Sequence, residues 1–267
     1  MLLPRIISAI VMALLFIYAV FMLEAGGFQI AIGVVVLLAG WEWARLSGIT
    51  RQLGRIAFAG LVGTLCFGAA IFDLQRELLW LAPVLWLMAL SWVIRYPAEK
   101  LWQSRFARIV FGLIVLVTTW SAMVVLRDSN EFLIWLFVLM GLIWGADSGA
   151  YFSGKAFGKR KLAPKVSPGK SWEGVLGGLV VTQVGIAFFA YFSGFSVWGW
   201  FLLAVIAVVT VLTSVLGDLT ESLFKRHESL KDSSQLIPGH GGVMDRVDSL
   251  TSAAPIYVLL LSFVGWV

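Results

Sequence analysis

Polar residues in this chain fall in short clusters separated by long apolar runs. Nine runs can be placed, near Ile6–Leu23, Phe28–Trp43, Ile56–Phe72, Leu78–Ile94, Ile109–Leu126, Phe132–Tyr151, Gly174–Phe192, Trp198–Leu216 and Ser249–Val267. A helix needs about 20 residues to cross about 30 Å of hydrocarbon, and the runs are close to that length. The pattern predicts an all-α, polytopic integral membrane protein with about nine transmembrane helices. The first run follows a single Arg and has no small-x-small cleavage site, so it reads as a retained anchor. No repeat of 20–50 residues and no low-complexity tract interrupts the series.

Composition agrees. Of 267 residues, 60% are hydrophobic and 13% charged, against about 45–50% and about 25% in soluble domains. That excludes a soluble enzyme, a disordered chain and a nucleic-acid module. Cys66, the single cysteine, lies in an apolar run and offers no disulfide. The net charge of +5 reads first as orientation. Eighteen of the 20 Lys and Arg fall in alternate connections starting from the N-terminus, and only Arg76 and Arg127 fall in the others. By the positive-inside rule the N-terminus is cytoplasmic and the C-terminus outside.

The connections on the sparsely charged side are short, while those on the basic side lengthen toward the C-terminus. Residues 1–130 read as N-terminal transmembrane scaffold. Residues 131–267 read as a catalytic transmembrane region with cytoplasmic loops 153–173 and 217–246. Asp147 stands near the end of an apolar run, where a lipid-facing carboxylate costs a few kcal/mol; it faces a wet cavity or a cation, or reaches the interface as a helix-end residue. Loop 153–173 combines six cations with Gly and Pro turns, and Ser167, Lys170 and Ser171 add donors. These are the parts of a phosphate cradle, and equally of a plain basic loop touching anionic headgroups. Its Gly-Lys-Ser is not a nucleotide-binding Walker loop, because Pro164 stands where the upstream Gly belongs.

The densest polar stretch runs from Gly217 to Asp248. Asp218 ends the eighth run. Asp245 and Asp248, three residues apart, share one face of a helix start. If the connection folds back, these carboxylates meet and repel unless a cation joins them. Oxygen ligands without His or Cys suit Mg²⁺. Asp245 or Asp248 can alternatively cap the ninth helix, and His240, between glycines, can be a turn residue. Lys225, Arg226 and Lys231 stand on one side of Pro-Gly-His-Gly-Gly, and the carboxylates on the other. Phosphoryl-type transfer uses both.

From Ser222 to Asp248 the order S-x-apolar-K-R-x4-K-D-x-small-x2-apolar-P-x-H-G-G-apolar-x-D-R-apolar-D is matched without a gap over 27 positions. It resembles the signature of the CDP-diacylglycerol synthases, or phosphatidate cytidylyltransferases. The Asp147-Ser-Gly-Ala-Tyr-Phe-Ser-Gly-Lys and Ser167-Pro-Gly-Lys-Ser-Trp-Glu-Gly174 stretches look like further motifs of that family. The resemblance covers about residues 147–256; the first 130 are similar only as apolar helices. It implies an enzyme that takes CTP and phosphatidic acid and releases CDP-diacylglycerol and pyrophosphate with Mg²⁺. Carried over by position, Asp218 and Asp245 look like the metal-binding pair, with potassium as a candidate second cation and Asp248 and Asp147 as further candidate ligands. Lys225, Arg226, Lys231 and His240 look like catalytic phosphate-handling residues. Ser167, Lys170, Ser171, Ser222, Gly241, Gly242 and Arg246 complete the candidate substrate-binding set.

Two rivals remain. A CTP-dependent lipid kinase would attack the γ-phosphorus instead. A transporter would show paired broken helices in two halves, and nine runs do not halve. The expected partners are CTP, phosphatidic acid and membrane lipids, with no nucleic acid. Small residues such as Gly174-Val-Leu-Gly-Gly178 can pack within the chain or across a homodimer. The expected location is a bacterial inner membrane with the active site facing the cytoplasm.

Overall fold

The computed structural model describes residues 2–97 and 100–267. Its helices are α1 (Leu2–Phe21), α2 (Ala25–Leu46), α3 (Gln52–Ile71), the short α4 (Gln75–Leu78), α5 (Leu81–Arg95), α6 (Arg105–Arg127), α7 (Phe132–Phe157), α8 (Trp172–Phe192), α9 (Val197–His227) and α10 (Met244–Phe263). Between α7 and α8 lies an antiparallel hairpin of β1 (Lys161–Ala163) and β2 (Ser167–Ser171). Among the described residues eight helical spans are long and apolar enough to cross a membrane, α4 and α5 counting as one. The ninth, α10, carries Asp245, Arg246 and Asp248 near its start. The chain is an integral membrane protein of the all-α class.

Several helices run further than hydropathy indicates. The sixth run was expected to end at Tyr151, yet α7 continues to Phe157. The eighth was expected to end at Leu216, yet α9 continues to His227, and α10 begins at Met244 rather than Ser249. Loop 217–246 is therefore irregular only over 228–243, and Asp218, Ser222, Lys225 and Arg226 are helical. Hydropathy marks where side chains stop matching lipid. A helix continues as long as its backbone bonds are kept and its polar face has partners inside the bundle.

The central helix is α6, nearly all of it buried from Val115 to Leu126. One side packs against α7, α9 and α10 through residues such as Leu136, Leu139, Ala207 and Tyr257. The other meets α2, α5 and α9 in an aromatic cluster, with Phe111, Trp43 and Phe224 ring centroids 5.4–5.9 Å apart. Phe224 fixes one face of α9 and leaves Asp218, Ser222 and Lys225 on another. Helices α7 and α8 meet through glycines: a Cβ at Gly178 would stand 2.7 Å from the Ala146 carbonyl oxygen, and one at Gly149 would stand 2.9 Å from that of Gly177. The Gly174–Gly178 stripe is thus spent on packing within the chain.

Pro255 sits inside α10 and, lacking an N–H, frees the carbonyl of Thr251, four residues earlier. The Thr119 hydroxyl, buried on α6, donates to that carbonyl at 3.1 Å and shares its proton with Val115 O at 2.7 Å. Thr119→Val keeps the shape and removes the donor. It is expected to cost about 1–2 kcal/mol, read as a lowered Tm in detergent, while Thr119→Ser restores it.

Candidate active site

Four elements meet at one end of the bundle: the hairpin with the start of α8, the C-terminal third of α9, the 228–243 connection, and the first turns of α10. Ser171 closes β2 and caps α8, its Oγ accepting from Gly174 N–H at 3.1 Å. One residue back, Lys170 turns toward α9 and places Nζ 2.8 Å from Asp218 Oδ2. Ser222, one turn on, donates to Asp218 Oδ1 at 3.3 Å. Arg226 donates to Val166 O in the hairpin at 3.4 Å, so hairpin and helix are tied at both ends. Ser167 sits half-buried at the start of β2.

Asp245 occupies the first turn of α10. Its Oδ1 lies 2.8 Å from Lys225 Nζ. Its Oδ2 accepts from Gly242 N–H at 2.8 Å, Ser233 N–H at 2.9 Å and Ser233 Oγ at 2.8 Å. Gly241, just before, has φ +86°, and any Cβ there would stand 2.9 Å from Asp245 Oδ2, so the turn needs glycine. Lys225 also pairs with Glu221 Oε2 at 2.6 Å. The helix start is served by Asp245 and by a residue of α2 described below, and Asp248, a full turn further in, is not the cap.

The two principal aspartates are thus each brought to a lysine, Asp218 to Lys170 and Asp245 to Lys225. Asp147 on α7 and Asp248 on α10 both lie within electrostatic reach of Asp218 and Lys170. Among the described residues no three His, Cys, Asp or Glu side chains form a ready cage. The donor set still suits a hard cation. All its donors are carboxylate oxygens, the two ammonium groups stand where positive charge is favoured, and Glu221 Oε1 is buried with no hydrogen-bond partner among the described residues. Such an orphaned carboxylate oxygen is costly unless a cation or water serves it.

Three hollows open around this cluster. A cleft of about 360 Å³ is lined by Asp147, Tyr151, Lys170, Ser171, Val175 and Val215 among others. An apolar groove of about 950 Å³ runs between α5, α9, α10 and the hairpin, with Trp86, Leu90, Leu212, Leu216 and Ile256 on its walls. Val175 and Val215 belong to both, so a charged pocket and an apolar trough share one thin wall. The third, about 730 Å³, holds Lys231, Asp232, His240, Gly241 and Arg246.

Sequence reasoning missed the residue that holds the 228–243 connection in place. Glu42 on α2 is fully buried. It accepts from the Ser233 and Ser234 hydroxyls and from the N–H groups of Val243 (3.0 Å) and Met244 (2.6 Å). Those N–H groups open α10, where a negative charge is favoured. The signal was available, because a carboxylate inside an apolar run requires a partner. Arg108, also buried, pairs with Glu228 and donates to Leu46 O at 3.0 Å, pinning the end of α9. Glu221 lay unremarked inside the densest polar stretch.

Residues 3–264 match the cytidylyltransferase family. The chain belongs to that family. Among its relatives, the phosphatidate cytidylyltransferase of Pseudomonas aeruginosa is 46% identical over 273 residues, covering 100% of this chain and 99% of that protein. The protein of the same name from Haemophilus influenzae is 41% identical, covering 99% and 100%, and that of Bacillus subtilis 31%, covering 97% of each. Membership thus extends through the N-terminal helices that the motifs alone did not reach, Glu42 and Arg108 included.

Proposed function

We propose that this cytidylyltransferase-family member transfers the cytidylyl group of CTP to phosphatidic acid, giving CDP-diacylglycerol and pyrophosphate. One observation carries the reading: a polar cleft with Lys170 and Asp147 lies against an apolar groove across Val175 and Val215. A substrate with a phosphate at one end and acyl chains at the other matches that pairing. The name shared by relatives aligned over the full chain supports it.

The lipid phosphate attacks the α-phosphorus of CTP, the new P–O bond forms, and the bond to the β-phosphate oxygen breaks as pyrophosphate leaves. A phosphate monoester is largely dianionic at neutral pH, so positioning and charge neutralisation are the main demands. Lys170, Lys225, Arg226 and Lys231 hold phosphate oxygens, with Ser167, Ser171, Ser222, Gly242 and Arg246 as further donors. Asp218 and Asp245 would hold Mg²⁺, helped by Asp248 or Asp147, with potassium as a candidate for a second position. When bound, the metal supplies charge neutralisation that lysines alone do not. The basic end of the bundle faces the cytoplasm of a bacterial inner membrane in this reading, which puts the N-terminus inside and lets CTP arrive from water.

The test uses purified protein in phosphatidate-containing vesicles with labelled CTP. Label at the α-phosphorus is expected in the lipid product, and label at the γ-phosphorus is not. Asp218→Asn is expected to lower turnover about 100-fold or more. Transfer of γ-label would make the protein a lipid kinase, and solute flux without CTP would make it a transporter.

A further inference from the structure

Helix α1 is the outlier of the bundle. Only 6% of its span is buried, against 28% or more for the other apolar spans. Its first turns nevertheless make specific polar contacts with the Pro238–Gly242 turn. Arg5 Nε donates to Gly239 O at 3.1 Å. The Ser8 hydroxyl lies 3.0 Å from Pro238 O and 2.7 Å from His240 Nδ1. Gly239 has φ +76°, and a Cβ there would stand 2.6 Å from Arg5 Cγ. The turn is thus shaped to let α1 approach.

The consequence for His240 follows from proton counting. The Ser8 hydroxyl has one proton, and the carbonyl oxygens of Pro4, Arg5 and Pro238 lie 2.9–3.1 Å away. With that proton directed to Nδ1, the neutral ring carries its own proton on Nε2, which can then donate to a phosphate oxygen; with it on a carbonyl, Ser8 accepts from Nδ1–H instead. The same turn of α1 brings Arg5 to the wall of the 730 Å³ cleft that holds Lys231, Arg246 and His240. Three cations and an imidazole against one carboxylate, Asp232, make a cleft for phosphate oxygens.

We propose that the N-terminal turn of α1 is part of the phosphate-handling site, with Arg5 as an anion-binding residue and Ser8 as the positioning residue for His240. This rests on the phosphate chemistry proposed above and goes beyond it, since the signature residues all lie in the C-terminal half. The ligand is a phosphate group, supplied by the lipid substrate or by the nucleotide and its pyrophosphate.

Three measurements test it on the full-length protein in vesicles of phosphatidylglycerol with graded phosphatidate. The variants are Arg5→Gln, Arg5→Lys, Ser8→Ala and Ser8→Thr. Arg5→Gln is expected to raise one KM about tenfold, as loss of a charge-assisted contact does, with a smaller change in kcat. A rise in the KM for phosphatidate assigns the cleft to the lipid phosphate. A rise in the KM for CTP, with weaker binding of inorganic pyrophosphate by calorimetry, assigns it to the nucleotide. Ser8→Ala is expected to lower kcat about tenfold with KM values nearly kept, and Ser8→Thr to restore it. The proposal is overturned if Arg5→Gln leaves both KM values and pyrophosphate binding within about twofold. It is also overturned if Ser8→Ala and Ser8→Thr lose activity alike in step with lost Tm, the mark of a merely structural contact. Pyrophosphate binding that depends on Arg5 in a protein making no CDP-diacylglycerol would spare this inference and sink the reading of function.

Discussion

Glu42→Gln is expected to abolish most activity without touching a single residue of the phosphate cluster. Both oxygens of Glu42 are engaged: Oε1 takes the Ser234 hydroxyl and Val243 N–H, and Oε2 takes Met244 N–H and a share of the Ser233 hydroxyl proton, which also reaches Asp245 Oδ2. An amide turns one acceptor into a donor, and whichever way it flips, an N–H₂ group faces a backbone N–H. It also removes the negative charge at the start of α10. Each stranded buried donor costs about 1–3 kcal/mol, so a total near 4 kcal/mol and a Tm fall of roughly 10 °C are expected. The same serine that meets Glu42, Ser233, also holds Asp245, so turnover should fall about 100-fold or more as the site loosens. Tryptophan fluorescence on heating and hydrogen exchange over residues 233–244 are the measurements. Unchanged exchange protection there would refute the anchoring role.

Lys225→Met is the second large effect. Lys225 stands between Glu221 Oε2 at 2.6 Å and Asp245 Oδ1 at 2.8 Å, and all three side chains are largely buried. Removing the cation leaves two carboxylates facing each other with little water. The expected cost is about 3–5 kcal/mol, with turnover lost as well. The diagnostic variant is the double one. Adding Glu221→Gln removes one of the stranded charges and is expected to recover a good part of the Tm but little of the activity, because Asp245 still lacks its partner. Thermal denaturation in detergent with parallel turnover assays separates the two. Additive losses in the double variant would mean that Lys225 and Glu221 act independently.

The contrast between these residues explains what the sequence discloses. Spans are written in hydropathy because lipid imposes the same demand on every residue of a run, and the long apolar helices among the described residues follow. The motif residues are legible as a group because Lys225, Arg226, Lys231, His240 and Asp245 crowd into a short stretch, as phosphate chemistry requires. Which carboxylate meets which lysine is not legible. That Asp218 goes to Lys170 and Asp245 to Lys225 depends on the hairpin folding under α9 and on α10 starting at Met244. Helix ends were misplaced where the helix runs on through polar residues, from Phe152 to Phe157 and from Gly217 to His227, since hydropathy counts a polar side chain and not the backbone bonds that continue the helix. Glu42 and Arg108 are charges in or beside apolar runs that sequence reasoning passes over, because their partners lie far along the chain and no local rule names them.

The long reach of Glu42 has a consequence for biosynthesis. Its four donors emerge 191–202 residues after it, a delay of about 10–40 s at ordinary rates of translation. Throughout that interval the carboxylate waits unmet in a hairpin of nascent helices already handed to the bilayer. A chain cut short before Ser233 therefore leaves a buried-type acid without any of its donors, a feature by which membrane proteases can tell an unfinished copy from a finished one.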